Sequence, residues 1–165
     1  MENEDFQDKR KNDNLVSSRF LVFKLLDKEY GIPLLQVREV MALRETTFIP
    51  QSALYFKGIL NIRGEIVAIM DLRLKLKLAS SLQSNESSIV ILDFSHFSIG
   101  VIVDSIDSVI GFNQDEINPA PNVEQKIETN FILGIANKDK RIILLLNMGK
   151  IFNCEDAITL DQKAS

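Results

Sequence analysis

The sequence predicts a mostly β fold, with two similar small β-barrels packed together, and three observations support it. From residue 20 onward the apolar residues form short blocks rich in Val, Ile and Phe, which Gly, Asp, Asn and Lys interrupt. These blocks recur faintly on the two sides of a polar, Ser-rich stretch at residues 79–88. Each side has about 60 to 70 residues, a length at which a lone core buries a modest share of its surface, so the two sides should share a buried interface.

The apolar blocks predict a series of hairpins. The predicted strands are residues 20–26, 30–32, 59–62, 66–70, 89–94 and 97–103, followed by a strand through Ile106, Val109 and Ile110. Turns are expected at residues 27–28, 63–65 and 95–96. In the second of these, Gly64 can adopt the positive φ that a tight turn often requires.

An internal repeat relates the two sides of the chain. The segment starting at Phe20 matches the one starting at Ile89, so that Gly31 corresponds to Gly100, Val37 to Ile106 and Val40 to Val109. Residues 58–76 match residues 134–152 without a gap. In this second match Asp71 corresponds to Asn147, and both are predicted N-caps of short helices. We therefore expect a first barrel at about residues 20–78, a connector at 79–88 and a second barrel at about 89–152.

The two ends of the chain differ from the repeated part. Residues 1–18 are rich in charged residues and lack the apolar core of a signal peptide, so we expect a flexible N-terminal tail. The main folded domain is expected at residues 19–154. Residues 155–165 are expected to form a C-terminal helix or tail, because residues 155–160 are amphipathic.

Composition excludes several function classes. A net charge of −4 and a pI of about 5.1 give no broad basic field for a phosphate backbone. No apolar run approaches the roughly 18 to 20 residues needed to span a bilayer. The single cysteine, Cys154, excludes an internal disulfide, and with the single histidine, His96, it excludes a zinc cluster. We expect a cytoplasmic protein without a metal or other cofactor.

Few residues could support catalysis. The candidate groups are Asp104, Asp107, Asp115, Glu116, His96 and Cys154. The spacing favours solvated turn acids, a solvated turn histidine and an inert thiol over a carboxylate pair, a base or a nucleophile. Gly58 and Gly64 belong to no phosphate-binding motif, and a strand follows them where such a site requires a helix N-terminus. We therefore expect no enzymatic activity.

Glu39 and Arg63 are charged residues within otherwise apolar segments, and three interpretations are open. Arg63 could be a solvated turn residue, or it could form a structural ion pair with Glu39. Alternatively the two could belong to a recognition patch, in which Arg63 supplies a planar multi-donor group and Val37 supplies apolar area.

Several blocks of the sequence resemble the CheW family of chemotaxis coupling proteins. They are FLVFKLLDKEYGIPLLQVREV from Phe20, the pair Ile49-Pro50, FKGILNIRGEIVAIMDLRLKL from Phe56, GVIVDSIDSVI from Gly100 and INPAP from Ile117. The likeness covers about residues 20–152, and these blocks in this order are far more specific than a single NxRG motif. Ala68 stands where relatives usually have proline, and NIRG replaces the commoner NLRG.

The resemblance implies two five-stranded SH3-like barrels and a non-catalytic adaptor. Such an adaptor joins the cytoplasmic tips of methyl-accepting chemoreceptors to the regulatory domain of the histidine kinase CheA, in arrays at the membrane. It implies receptor contacts at Val37, Glu39, Gly58 and Arg63, and a kinase contact at Val123.

Other functions stay open at this stage. A CheW-like protein of a non-flagellar chemosensory pathway, serving pilus motility or second-messenger control, would have the same sequence features. A small oligonucleotide-binding barrel would need basic grooves with stacking aromatics, and no aromatic outside residues 55–57 lies beside a cluster of Lys and Arg.

Overall fold

The structure, a computed structural model, describes residues 18–78, 86–120 and 131–152. Its strands are β1 (Arg19–Leu25), β2 (Lys28–Pro33), β3 (Val37–Ala42), β4 (Phe56–Ile62), β5 (Glu65–Asp71), β6 (Ser88–Asp93), β7 (Ser98–Val103), β8 (Ser105–Gly111), β9 (Ile117–Asn118), β10 (Ile132–Lys138) and β11 (Arg141–Leu146). Short helices lie at Leu72–Lys75 and Met148–Ile151, and 3₁₀ turns at Leu34–Gln36 and Gln114–Glu116. The mostly β prediction is confirmed.

The strands form two sheets that are not divided at the predicted connector. The five-stranded sheet has the order β3-β6-β7-β5-β4, and the six-stranded sheet has the order β8-β1-β2-β11-β10-β9. The five-stranded sheet is thus a contiguous stretch of chain, inserted between β2 and β8. The expected five strands per barrel hold for one sheet, while the two-residue β9 adds a sixth strand to the other.

The internal repeat explains this arrangement. Hairpin β1-β2 corresponds to β6-β7, and β4-β5 corresponds to β10-β11. Each sheet joins the first hairpin of one repeat to the second hairpin of the other repeat through a pair of parallel strands. This pair is β2 with β11 in the six-stranded sheet and β7 with β5 in the five-stranded sheet. The matched glycines pack alike, because Gly31 lies against Leu145 and Gly100 lies against Ile69. The two repeats therefore exchange hairpins, and the predicted barrels at about 20–78 and 89–152 differ from the sheets for this reason.

Three apolar clusters form the interior. The largest lies between the sheets and takes residues from both, including Phe23 and Leu25 of β1 and Val90 and Leu92 of β6. The opposite faces of the same two strands fill smaller clusters, one within each sheet. Because β1 and β6 are buried on both faces, burial links the two sheets over a large shared core, as the length of each repeat predicted.

Some local predictions were wrong in detail. The first hairpin turns at residues 26–27, one residue before the predicted turn, because Leu25 pairs with Lys28 and is fully buried. Leu26 has a φ of 56° and donates its backbone N–H to Asp104 Oδ2. The second turn consists of Arg63 and Gly64 alone, since Glu65 already pairs with Ile62 in the ladder.

The two predicted helix caps differ. Asp71 accepts a hydrogen bond from the backbone N–H of Arg73, as an N-cap should. Asn147 precedes a helix at the matching position, but its side chain makes no capping hydrogen bond. Residues 1–17, 79–85, Val123, Cys154 and the expected tail at 155–165 lie outside the described residues.

Candidate functional site

The two edge strands of the five-stranded sheet, β3 and β4, approach each other at the end of the sheet where hairpin β4-β5 turns. Arg63 in this turn places Nη2 3.0 Å from Oε2 of Glu39 on β3. Thr47, which follows β3 in the chain, forms two backbone hydrogen bonds with Ile59 of β4, at 2.9 and 3.0 Å. These contacts bring the edge strands together and give the sheet its barrel-like closure.

Arg63 is prominent in this region because the turn raises its side chain into solvent. Arg63 and Gly64 have φ values of 54° and 87°, which are typical of the two-residue turns that match the twist of paired strands. The Asn61 side chain accepts a hydrogen bond from the Gly64 N–H at 2.8 Å and holds the turn. The Arg63 side chain is 80% exposed, against 21% for Glu39. Most of the Arg63 guanidinium therefore stays available to a partner although it pairs with Glu39.

Strand β3 presents alternating faces. Val37, Glu39 and Met41 are half-buried, while Arg38, Val40 and Ala42 are exposed. Val37 packs against the core between the sheets, so only part of its surface is free. Val40 is 43% exposed and was not predicted as a contact.

Arg38 forms a second ionic contact beside the first. Its Nη1 lies 2.8 Å from Glu65 Oε2 on β5, and its Nη2 lies 2.7 Å from Asp93 Oδ1 at the end of β6. Hydrogen bonding to Arg38 lowers the pKa of Glu65 and of Asp93 below their ordinary values. Arg38 was not predicted as a contact residue, because its partners are 27 residues or more away in the chain. Together, the two arginines tie β3 to the turn region of β4-β5.

Gly58 has a packing role in this structure. It is buried on β4 with a φ of 133°, and an added Cβ would lie 2.5 Å from the Thr47 carbonyl oxygen and 2.8 Å from Thr46 Oγ1. A glycine is therefore needed for the close approach of residues 46–47 to β4. Of the four predicted receptor contacts, Glu39 and Arg63 meet directly, and Val37 lies on the same strand as Glu39. Gly58 lies farther along β4, against residues 46–47.

Several of the acidic residues considered for catalysis form ion pairs within the fold. Asp104 was predicted as a solvated acid, but it is only 20% exposed and pairs with Arg73 at 3.0 Å. Asp107 pairs with Arg141 at 2.9 Å. The pKa of the Asp107 carboxyl group is lowered, first by a hydrogen bond from the Ser108 hydroxyl and second by the one from Arg141. His96 is exposed in the turn between β6 and β7, as predicted.

The described part of the chain lacks both a candidate metal cluster and a candidate membrane-spanning helix. No group of three or more His, Cys, Asp or Glu side chains there is arranged to hold a metal ion. No helix there has the length and apolar character that crossing a membrane requires.

The comparisons with known proteins agree with the fold and the motifs. The family model of the CheW-like domain matches residues 19–156. The chain belongs to the CheW family of chemotaxis proteins. The chemotaxis protein CheW of Klebsiella aerogenes is 30% identical over 149 residues, which cover 90% of each chain. That of Bacillus subtilis is 28% identical over 139 residues, covering 84% of this chain and 89% of the relative.

A solved structure supports the same assignment. The crystal structure of the scaffolding protein TtCheW from Thermoanaerobacter tengcongensis superposes with a TM-score of 0.76 at 30% sequence identity. The match covers 85% of this chain and 90% of that one. This chain therefore shares the fold of that CheW structure, and Ala68 and the NIRG motif do not alter it.

Proposed function

We propose that this protein is a non-catalytic adaptor that couples the cytoplasmic tips of chemoreceptors to the histidine kinase CheA in signalling arrays. The observation that supports this most directly is the exposed guanidinium of Arg63, held at a hairpin tip beside a half-buried carboxylate. Arginine in such a setting offers a fork of donors to a partner's carboxylates, which suits a protein interface better than a reactive site.

The receptor-facing surface in this proposal consists of Val37, Glu39 and Arg63, with Gly58 farther along β4. Exposed apolar residues lie close to these positions in the chain: Val40, next to Glu39, is 43% exposed, and Ile66, three residues after Arg63, is 56% exposed. A surface that combines accessible apolar area with oriented charges is typical of protein recognition. The kinase-facing surface includes Val123, which lies outside the described residues, and it engages the regulatory domain of CheA.

Coupling follows from having two separate surfaces on one molecule. One face binds the receptor tip and another binds the kinase, so modest individual affinities combine by multivalency in an array. A receptor signal reaches the kinase only if the receptor's two states contact the adaptor differently. The protein itself stays in the cytoplasm and is recruited to the membrane through the receptors.

A charge reversal at the hairpin tip tests the receptor-facing surface. We expect Arg63→Glu to weaken capture of receptor and kinase in a pull-down, because the donor fork becomes a carboxylate beside Glu39. The free energy of unfolding should change by only about 0.5 kcal/mol, as is usual at exposed positions. Folding is checked by the thermal midpoint, which should stay within a few degrees of the unmodified value.

Lys140→Glu is a matched control for this experiment. Lys140 is exposed in the two-residue turn of hairpin β10-β11, which corresponds to β4-β5 by the internal repeat, and it also has a positive φ, of 65°. The change in net charge is identical, so a general electrostatic effect would lower capture equally in both variants. Equal capture by Arg63→Glu and the unmodified protein would contradict the proposed surface. The identity of the receptor and kinase recovered distinguishes flagellar chemotaxis from another chemosensory pathway.

A further inference from the structure

The chain crosses from one sheet to the other at two places. The first passage runs from β2 to β3 through the 3₁₀ turn Leu34–Gln36, and the second runs from β7 to β8. At the second, Asp104 is the single residue between the strands, since β7 ends at Val103 and β8 begins at Ser105. Any rotation of one sheet against the other must therefore act on Asp104.

A buried ionic network surrounds this residue. Arg73, in the short helix after β5, is only 2% exposed in its side chain, and its Nη1 lies 3.0 Å from Asp104 Oδ1. Its Nη2 lies 3.1 Å from Oδ2 of Asp71, whose side chain is 5% exposed. Hydrogen bonding to Asp71 raises the pKa of Arg73 despite its burial, so the guanidinium is charged at all accessible pH values.

The network continues into the six-stranded sheet. The second carboxylate oxygen of Asp104 accepts the backbone N–H of Leu26 at 2.6 Å, in the turn of hairpin β1-β2. The backbone N–H of Asp104 donates to the carbonyl oxygen of Lys24 on β1 at 3.0 Å. The contacts thus run without interruption from the end of β5 through Arg73 and Asp104 to the β1-β2 hairpin.

The core between the sheets and this network constrain the relative orientation of the sheets in different ways. Burial of apolar side chains is non-directional, so an apolar interface tolerates small rotations. Hydrogen-bonded ion pairs have strict geometry, and separating a buried pair leaves an uncompensated charge. We propose that Asp71, Arg73 and Asp104 form an inter-sheet clamp that fixes the relative orientation of the two sheets. A displacement imposed on one sheet is then transmitted to the other instead of being absorbed at their junction.

A second arginine network supplies a matched control. Arg141 on β11 contacts Glu29 on β2 at 2.5 Å and Asp107 on β8 at 2.9 Å. All three residues belong to the six-stranded sheet, so this network joins strands of one sheet only. Asp104→Asn and Asp107→Asn each remove one carboxylate charge from an arginine, but only the first interrupts the clamp.

Distances between paired spin labels measure the effect directly. Cysteines replacing the exposed Ala42 and Ile142 report on the distance between sheets, and cysteines at Val109 and Ile142 report within the six-stranded sheet, in a background with Cys154→Ser. We expect Asp104→Asn to broaden the inter-sheet distance distribution and to leave the intra-sheet one unchanged. Asp107→Asn should leave the inter-sheet distribution narrow. An inter-sheet distribution that is unchanged in Asp104→Asn would overturn the proposal.

Hydrogen exchange on the unmodified protein provides a test that needs no substitution. Leu26 is 38% exposed in a hairpin turn, a position where an amide normally exchanges quickly. If the clamp holds, the Leu26 amide should exchange as slowly as that of Val90 in the shared core. Exchange of the Leu26 amide at the fast rate of the exposed turns would contradict the clamp even if Asp104→Asn fails to fold.

Discussion

Two glycines of the β4-β5 hairpin have different surroundings, and these determine why each position requires glycine. Gly58 and Gly64 both have positive φ, but an added Cβ at Gly58 meets Thr46 and Thr47, whereas at Gly64 it meets nothing within 4 Å. Conformational strain acts at both positions, while steric overlap with backbone acts only at Gly58. The first glycine is thus required by packing and the second only by the turn.

Alanine substitutions should separate these two effects. We expect Gly64→Ala to lower the free energy of unfolding by about 1 kcal/mol, the cost of left-handed backbone for a residue with a Cβ. Gly58→Ala should cost more, about 2 to 4 kcal/mol, because residues 46–47 must also move away from β4. Urea unfolding of the two variants checks the order. A smaller loss for Gly58→Ala than for Gly64→Ala would contradict the close approach at Gly58.

The sequence indicated which single residues are unusual better than it indicated which residues form ion pairs with each other. The Glu39–Arg63 ion pair was one of three open interpretations, and the structure contains it with most of the Arg63 surface still exposed. Asp104 was misassigned to solvent because its partner Arg73 lies in another element, 31 positions earlier in the chain. Sequence spacing indicates contacts along one strand or helix, but ion pairs of this kind depend on the folded topology.

At the scale of elements, β3 is an edge strand held by side chains as well as by its ladder with β6. Hydrogen bonds from Arg38 lower the pKa values of Glu65 and Asp93, whose ordinary values are 4.5 and 3.8. A carboxyl group whose pKa falls on folding contributes stability above its unfolded pKa and loses it as the pH drops through the folded value. The contribution from Arg38 should therefore be present at neutral pH and disappear in acid.

Comparison of the unmodified protein with Arg38→Gln tests this dependence. We expect the difference in their free energies of unfolding to stay constant above about pH 5 and to shrink as the pH falls below the two ordinary values. Solvent and salt screen these exposed pairs, so the difference should also decrease at high ionic strength. A difference that is independent of pH would assign the role of Arg38 to packing alone.

Hairpins were the elements that the sequence predicted best. Alternating apolar residues around Gly64 and around residues 95–96 are strong local signals, and both hairpins formed there. Strand β3 was not predicted because it carries Arg38 and Glu39 within a short apolar segment. Its ladder with β6, which begins about 50 residues later in the chain, compensates for this weak local preference.

At the scale of the whole molecule, the repeat was visible in the sequence but its hairpin exchange was not. Either way of combining the hairpins buries similar apolar faces, so the pattern along the chain does not distinguish them. The parallel pairs β2 with β11 and β5 with β7 decide the topology, and both join segments that are far apart in sequence. Contacts of this kind are invisible to arguments from local periodicity.

The exchange of hairpins between the repeats should make the two sheets unfold together, because the largest apolar cluster belongs to both sheets. Leu92 of β6 is fully buried in this shared core, which also contains Phe23 and Ile32 of the six-stranded sheet. Neither sheet can lose its order without exposing the apolar surface of the other. We therefore expect a single cooperative transition rather than separate unfolding of the two sheets.

Leu92→Ala tests this cooperativity. Removing the buried side chain should lower the free energy of unfolding by about 2 to 5 kcal/mol. Amide signals of β4 and of β10, one strand from each sheet, should lose intensity at the same urea concentration, and the variant should shift both midpoints equally. Ile142→Ala, at a position 61% exposed, is the control and should shift neither midpoint appreciably. A shift confined to β4 would mean that the five-stranded sheet unfolds by itself and that the shared core does not couple the two sheets.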